Sequence, residues 1–116
     1  MSGTTTTEEF ARFKAESERL RVLLNLGDYN FNYEYKRIAD NDCSGQANVN
    51  ANGRVATLRL NMKRLDDSTP EDIARHEMAH VLLGTLRMMC DTRYCEMKAI
   101  DLEEERICVV LERVLK

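Results

Sequence analysis

Apolar residues recur along the chain with two different periods, and the places where the period changes divide it into elements. Phe10, Phe13, Leu20 and Leu24 fall at helical spacing, with Glu16, Glu18, Arg19 and Arg21 between them. This predicts an amphipathic first helix. Thr6 and Glu9 stand three apart just before it, the spacing of a capping box. Gly27 is the expected stop, and residues 1–6 are expected to fray. The period then switches to two. Tyr29, Phe31, Tyr33 and Tyr35 alternate with Asn30, Asn32, Glu34 and Lys36, which predicts a half-buried strand whose aromatic face packs on the first helix.

Residues 39–45 read as a loop, with Asp40 and Asp42 as solvated loop residues. Asn52-Gly53 is a hairpin signal. A two-residue turn there places Val49 opposite Ala56 and Ala47 opposite Leu58. Leu60 and Met62 continue that apolar face, while Asn48, Asn50, Val55, Thr57 and Arg59 take the other. The hairpin is expected over roughly 46–51 and 54–62.

A second helix starts at Ser68-Thr69-Pro70-Glu71-Asp72, where a capping hydroxyl precedes proline at the first helical position and two acids follow. It is expected to run to about Met89. Gly84 inside it costs helix stability, so another segment is expected to approach closely there. After a connection at 90–98, a last helix is expected from Ala99 to Leu115. Its apolar stripe is Ile107, Val110, Leu111 and Val114, and one turn back that stripe lands on Glu103 and Glu104. The plain reading of these acids is a solvated first turn favoured by the helix dipole.

Chemistry enters through the second helix. His76-Glu77-Met78-Ala79-His80 holds the only two histidines of the chain. Residues four apart share a helix face, so both imidazoles aim at one point, as a zinc site requires. Glu77, one step round, can reach water at such a metal and act as general base. A catalytic zinc takes three protein ligands as a rule, and no third histidine remains. The third must be Glu, Asp or Cys. Cys90 and Cys95 lie near the exit of the same helix. Glu104 is the preferred candidate, three before Ile107 and seven before Leu111. Glu103 stays close behind it, and Asp101 and Glu112 fall off the stripe.

Composition narrows the alternatives. At 116 residues the chain is one domain, residues 1–116. It carries 17 Lys and Arg against 20 Asp and Glu, with no basic cluster, which argues against nucleic-acid binding. The longest apolar run, Ile107 to Leu111, is too short to span a bilayer, and the threonine-rich start has no signal-peptide core. A cytoplasmic protein with no membrane role is expected. Cys43, Cys90, Cys95 and Cys108 are then expected as reduced thiols, some of them buried. Oligomeric state is left open.

At His76-Glu77-Met78-Ala79-His80 the sequence resembles a zincin of the gluzincin type: Ala74, Met78, Ala79 and Val81 are uncharged and Leu82 is apolar. Residues Glu103 to Glu112 resemble the glutamate helix of small metallopeptidases common in phages and mobile elements. The resemblance covers roughly residues 45–115. It implies an α+β, minimal zincin-like domain: an N-terminal helix, a small antiparallel sheet with a hairpin, the histidine-motif helix and a C-terminal glutamate helix. It implies Zn2+ held by His76, His80 and Glu104, with Glu77 as base, and a peptide or protein substrate lying along the strand at 54–62. The expected function is zinc-dependent peptide-bond hydrolysis. The alternative is a non-catalytic zinc-containing regulatory or interaction protein of phage or mobile-element origin.

Overall fold

The computed structural model describes residues 3–38, 43–91 and 96–114. In chain order the elements are β1 (Gly3–Thr4), α1 (Thr7–Leu23), β2 (Asn30–Lys36), β3 (Gly45–Asn50), β4 (Val55–Asn61), β5 (Lys63–Arg64), α2 (Pro70–Asp91) and α3 (Met97–Val114). The class is α+β. A three-stranded sheet carries helices on one face and leaves the other to solvent.

The capping box at Thr6 forms in both directions, Glu9 N–H to Thr6 Oγ1 and Thr6 N–H to Glu9 Oε1, each at 3.1 Å. The helix stops at Asn25 rather than Gly27. Asn25 takes the left-handed conformation at φ 59°, which asparagine tolerates well, while Gly27 has no positive φ. The threonine-rich start is not frayed from residue 3 onward. Gly3 and Thr4 pair antiparallel with Arg64 and Lys63. The Thr5 hydroxyl donates to the Asn61 carbonyl at 2.8 Å, and the Tyr35 hydroxyl donates to the Thr5 carbonyl.

The sheet is mixed, not antiparallel, with order β2-β4-β3. β3 and β4 form the expected hairpin in the expected register, Val49 opposite Ala56 and Ala47 opposite Leu58. β4 then inserts beside β2 in parallel, with Phe31 opposite Ala56 and Tyr35 opposite Leu60. The outgoing strand of the hairpin is the edge and the returning strand the centre. Being central, β4 is the most deeply buried, with Ala56, Leu58 and Leu60 all at 0% exposure.

The hairpin turn differs from the sequence expectation. Residues 51–54 all belong to it, the Gly53 N–H donates to Asn50 Oδ1 at 3.0 Å, and Arg54 takes the left-handed position at φ 54°. At the far end of β4, Met62 is exposed instead of extending the apolar face. The buried neighbour Asn61 explains the change. Its Oδ1 accepts from the Ile38 and Lys63 N–H groups, and its Nδ2 donates to the Cys43 carbonyl at 2.9 Å. One amide thus satisfies three backbone groups where the strands diverge.

On the covered face the aromatic row of β2 meets α1, as the sequence implied. Phe10 stacks on Tyr35 with centroids 5.3 Å apart, and the Tyr33 hydroxyl donates to Glu18. α2 packs beside α1 through Ile73, Ala74, Met78, Val81 and Leu82, which join Phe13, Leu20 and Leu58 in a single core. No helix among the described residues is long and apolar enough to cross a membrane.

Candidate metal centre

Helix α2 begins as its sequence predicts. The Asp72 N–H donates to Thr69 Oγ1 at 3.1 Å, and the Thr69 N–H to Asp72 Oδ2 at 3.4 Å. Two ion pairs then tie its first half to α1. Arg12 grips Glu71 with two bonds of 2.9 and 2.7 Å, and Arg75 reaches Glu16 at 3.1 Å. Glu16 is buried and also receives Arg19. Those bonds, with the charge of both arginines, hold its carboxyl below the usual range. The helix bearing the motif is therefore fixed at its start by charge-assisted bonds.

Along its length α2 lies beside the edge strand β3, and two glycines set the distance. A Cβ on Gly84 would stand 2.6 Å from Val49 Cγ1. This is the close approach that glycine in a helix implied. A Cβ on Gly45 would stand 2.6 Å from Ile73 Cγ2 and 3.3 Å from Glu77 Cγ. Four strand residues rise about 13 Å. Eleven helical residues, from Ile73 to Gly84, rise about 16 Å. The two elements thus run side by side through the site.

Between them opens a cleft of about 820 Å³, lined on the helix side by His76, Glu77, His80 and Gly84 and on the strand side by residues of β3 and its turn. Both imidazoles are exposed to it. Their ring centroids are 5.0 Å apart and the rings nearly perpendicular, at 81°. Glu77 is only 6% exposed. Burial pushes its carboxyl up from the ordinary 4.5, against the opposing pull of His76 and His80. It makes no hydrogen bond or ion pair among the described residues. The motif has thus placed two nitrogen donors and one desolvated carboxyl at one point of the cleft wall.

The last helix does not bring its acids to that point. Its inward stripe is Glu103, Ile107 and Val110, with Val114 half-buried, whereas Leu111 and Glu104 are exposed. The inward acid is therefore Glu103, at 8% exposure, and it is held by Arg106 at 2.9 and 2.5 Å. Glu103 and Arg106 line a separate hollow beside Leu26 and Asp28. Neither Glu103 nor Glu104 lines the histidine cleft. Among the described residues no group of three His, Cys, Asp or Glu side chains is arranged to hold a metal. The rotation follows from the apolar pattern. Glu104 lies three before Ile107 and seven before Leu111, but Leu111 is exposed; Glu103 lies four before Ile107 and seven before the buried Val110.

Cys43, Cys90 and Cys108 are free thiols, and none of the three is buried. Cys90 does not line the cleft; Cys95, Asp40 and Asp42 lie outside the described residues. Cys43 does line it, beside Gly45, a placement the sequence pattern did not reveal. The strand at 54–62 cannot offer an edge, because β4 is paired on both sides; the strand along the cleft is β3. No family model matches the chain, and no curated protein and no solved structure is significantly similar to it.

Proposed function

We propose that the chain is a zinc-dependent peptide hydrolase of the gluzincin kind, with His76 and His80 as metal ligands and Glu77 as general base. The observation that carries this reading is the state of Glu77: a desolvated carboxyl with no bonded partner among the described residues, facing a cleft beside two exposed imidazoles. A structural glutamate this deeply buried would be expected to have a partner. A carboxyl that burial pushes up from its ordinary pKa, next to two imidazoles, suits a proton-transfer role.

The donor set fits zinc as far as it goes, two neutral-nitrogen donors one turn apart on one helix. When bound, zinc supplies a Lewis acid that makes water acidic near neutral pH and polarises a carbonyl. Glu77 takes the proton from water at its carboxylate and returns it to the leaving amine. The free edge of β3 aligns an extended peptide by main-chain hydrogen bonds. Glu104 remains the proposed third ligand, although in this structure its exposed side chain does not line the histidine cleft.

A second reading is favoured by one observation, the lack, among the described residues, of a third donor beside the histidines. A zinc-containing protein of phage or mobile-element origin that binds a partner without cutting it would not need an open catalytic position. Measuring zinc content and peptide turnover in the wild type and in Glu77→Gln separates the two. Zinc with turnover lost in the variant supports the hydrolase; zinc with no turnover in either supports the binding protein.

A further inference from the structure

The histidine cleft meets a smaller hollow of about 380 Å³ at the start of α2, and Cys43, Gly45, His76 and Glu77 line both spaces. A residue with a free thiol thus stands at the junction where the motif places an imidazole and a desolvated carboxyl. Cys90 and Cys108 line neither space.

The backbone sets the position of Cys43. Its carbonyl accepts from Asn61 Nδ2 at 2.9 Å, and the Ser44 carbonyl accepts from the Asn61 N–H at 3.0 Å. Gly45, two residues on, is pressed against Ile73 and Glu77. The chain next to the thiol is therefore tied to the end of β4 and to the helix that bears the histidines. The groups around it have unmet bonding capacity. Glu77 is 6% exposed and has no bonded partner among the described residues. The two imidazoles meet edge to face, and neither makes a hydrogen bond or ion pair among the described residues.

Two candidates for the third donor differ in what they must move. Glu104 is exposed on α3. To bring it to the cleft, α3 must turn about its axis, against the burial of Ile107 and Val110 and the grip of Arg106 on Glu103. Cys43 already lines the cleft, and its sulfur follows a single side-chain torsion. The thiol and the imidazoles do not converge on one point in this structure, and a turn of that one side chain is the smaller adjustment.

We propose that Cys43, rather than Glu104, supplies the third protein donor to the metal held by His76 and His80. The inference rests on the metal-binding half of the reading above and not on peptide hydrolysis. Cys43 binds as thiolate, and its proton goes to solvent. Two imidazoles and one thiolate suit zinc and leave a fourth position open, so Glu77 stays available as base.

The test loads metal-free, reduced protein with one equivalent of Co2+ in place of zinc and reads the near-ultraviolet thiolate-to-cobalt charge-transfer band. The wild type is expected to show the band, and so is a variant combining Cys90→Ser, Cys95→Ser and Cys108→Ser. Cys43→Ser should abolish it, and so should His76→Ala, because thiol and imidazole hold the same ion. Zinc affinity should fall by more than about tenfold in Cys43→Ser, since even outer-shell changes cost that much. Circular dichroism of metal-free Cys43→Ser checks that the fold is kept. Zinc should also shield Cys43 from iodoacetamide, read by mass spectrometry of the wild type. Cobalt bound without the band, or a band that survives Cys43→Ser, would overturn the assignment and leave the hydrolase reading standing. A band that depends on Cys43, in protein that cleaves no peptide, would keep the assignment and remove the hydrolase reading. Protein that takes up neither cobalt nor zinc would overturn both.

Discussion

Gly45 and Glu77 are pressed together where β3 meets α2: a Cβ on Gly45 would stand 3.3 Å from Glu77 Cγ and only 3.1 Å from the Arg59 carbonyl oxygen. The backbone of the edge strand is therefore part of the wall that positions the carboxyl. Gly45→Ala must displace Ile73 or Glu77, since its φ is not positive and the strand itself tolerates alanine. Overpacking of this kind costs about 1–3 kcal/mol. Turnover is expected to fall by about tenfold or more through misplacement of the base. Zinc content should stay at the wild-type level, because the three atoms nearest the added methyl group belong to Ile73, Arg59 and Glu77 and not to either histidine. Kinetics and metal analysis on one preparation check this.

The second close approach allows a rescue experiment. Gly84→Ala sets a methyl 2.6 Å from Val49 Cγ1, and stability is expected to drop by about 1–2 kcal/mol despite the better helix propensity of alanine. Val49→Ala removes the clashing atoms. Urea titrations of both single variants and the double variant should show a coupling of about 1 kcal/mol or more, with the double variant recovering part of the loss.

Burial of Glu77 has a consequence for stability. Its folded pKa is raised above the ordinary 4.5, so the stabilisation is full below that pH and is lost as pH rises through the folded value. In metal-free protein the charged carboxyl at neutral pH is a burden. Glu77→Gln is expected to raise Tm at pH 7. The difference should shrink toward zero below pH 4.5. Thermal melts of the two apo proteins across that range test it. A residue kept at such a cost is what a working carboxyl looks like.

The two acids of α3 are separated by their surroundings. Glu103→Ala leaves Arg106 without its partner at a partly buried position, and a loss of about 1–2 kcal/mol is expected with zinc content unchanged. Glu104→Ala touches an exposed side chain and should leave stability within about 0.5 kcal/mol. If Glu104 closes the site, zinc retention during dialysis falls in that variant alone. Retention unchanged in Glu104→Ala would return the third ligand to another residue.

Much of this molecule was legible in the order of its residues, and the exceptions share a cause. Both helix starts were readable at Thr6 and Thr69, because capping is local chemistry. The hairpin register followed from Val49, Ala56, Ala47 and Leu58, because period two fixes the face. Two histidines in one cleft beside a carboxyl followed from helix geometry alone. What depended on distant parts of the chain was not readable. Nothing in Asn30–Lys36 says that its partner will be β4 in parallel. Asn61 looked like one more strand residue, yet its amide ties Cys43 and Ile38 to the end of the sheet. Gly45 looked like loop, although it is the contact that admits Glu77. The inward acid at the head of α3 is Glu103 rather than the preferred Glu104, because Leu111, one of the two residues from which Glu104 was counted, is exposed while Val110 is buried.

The hydrolase account is tested most directly by zinc and turnover measured together. Protein purified after metal-replete expression should carry one zinc per chain by elemental analysis. It should cleave an extended peptide, and Glu77→Gln should retain the zinc while losing about 10³-fold or more in kcat, as expected for removal of a general base. Full turnover in Glu77→Gln, or wild-type protein that takes up no zinc, would contradict the account.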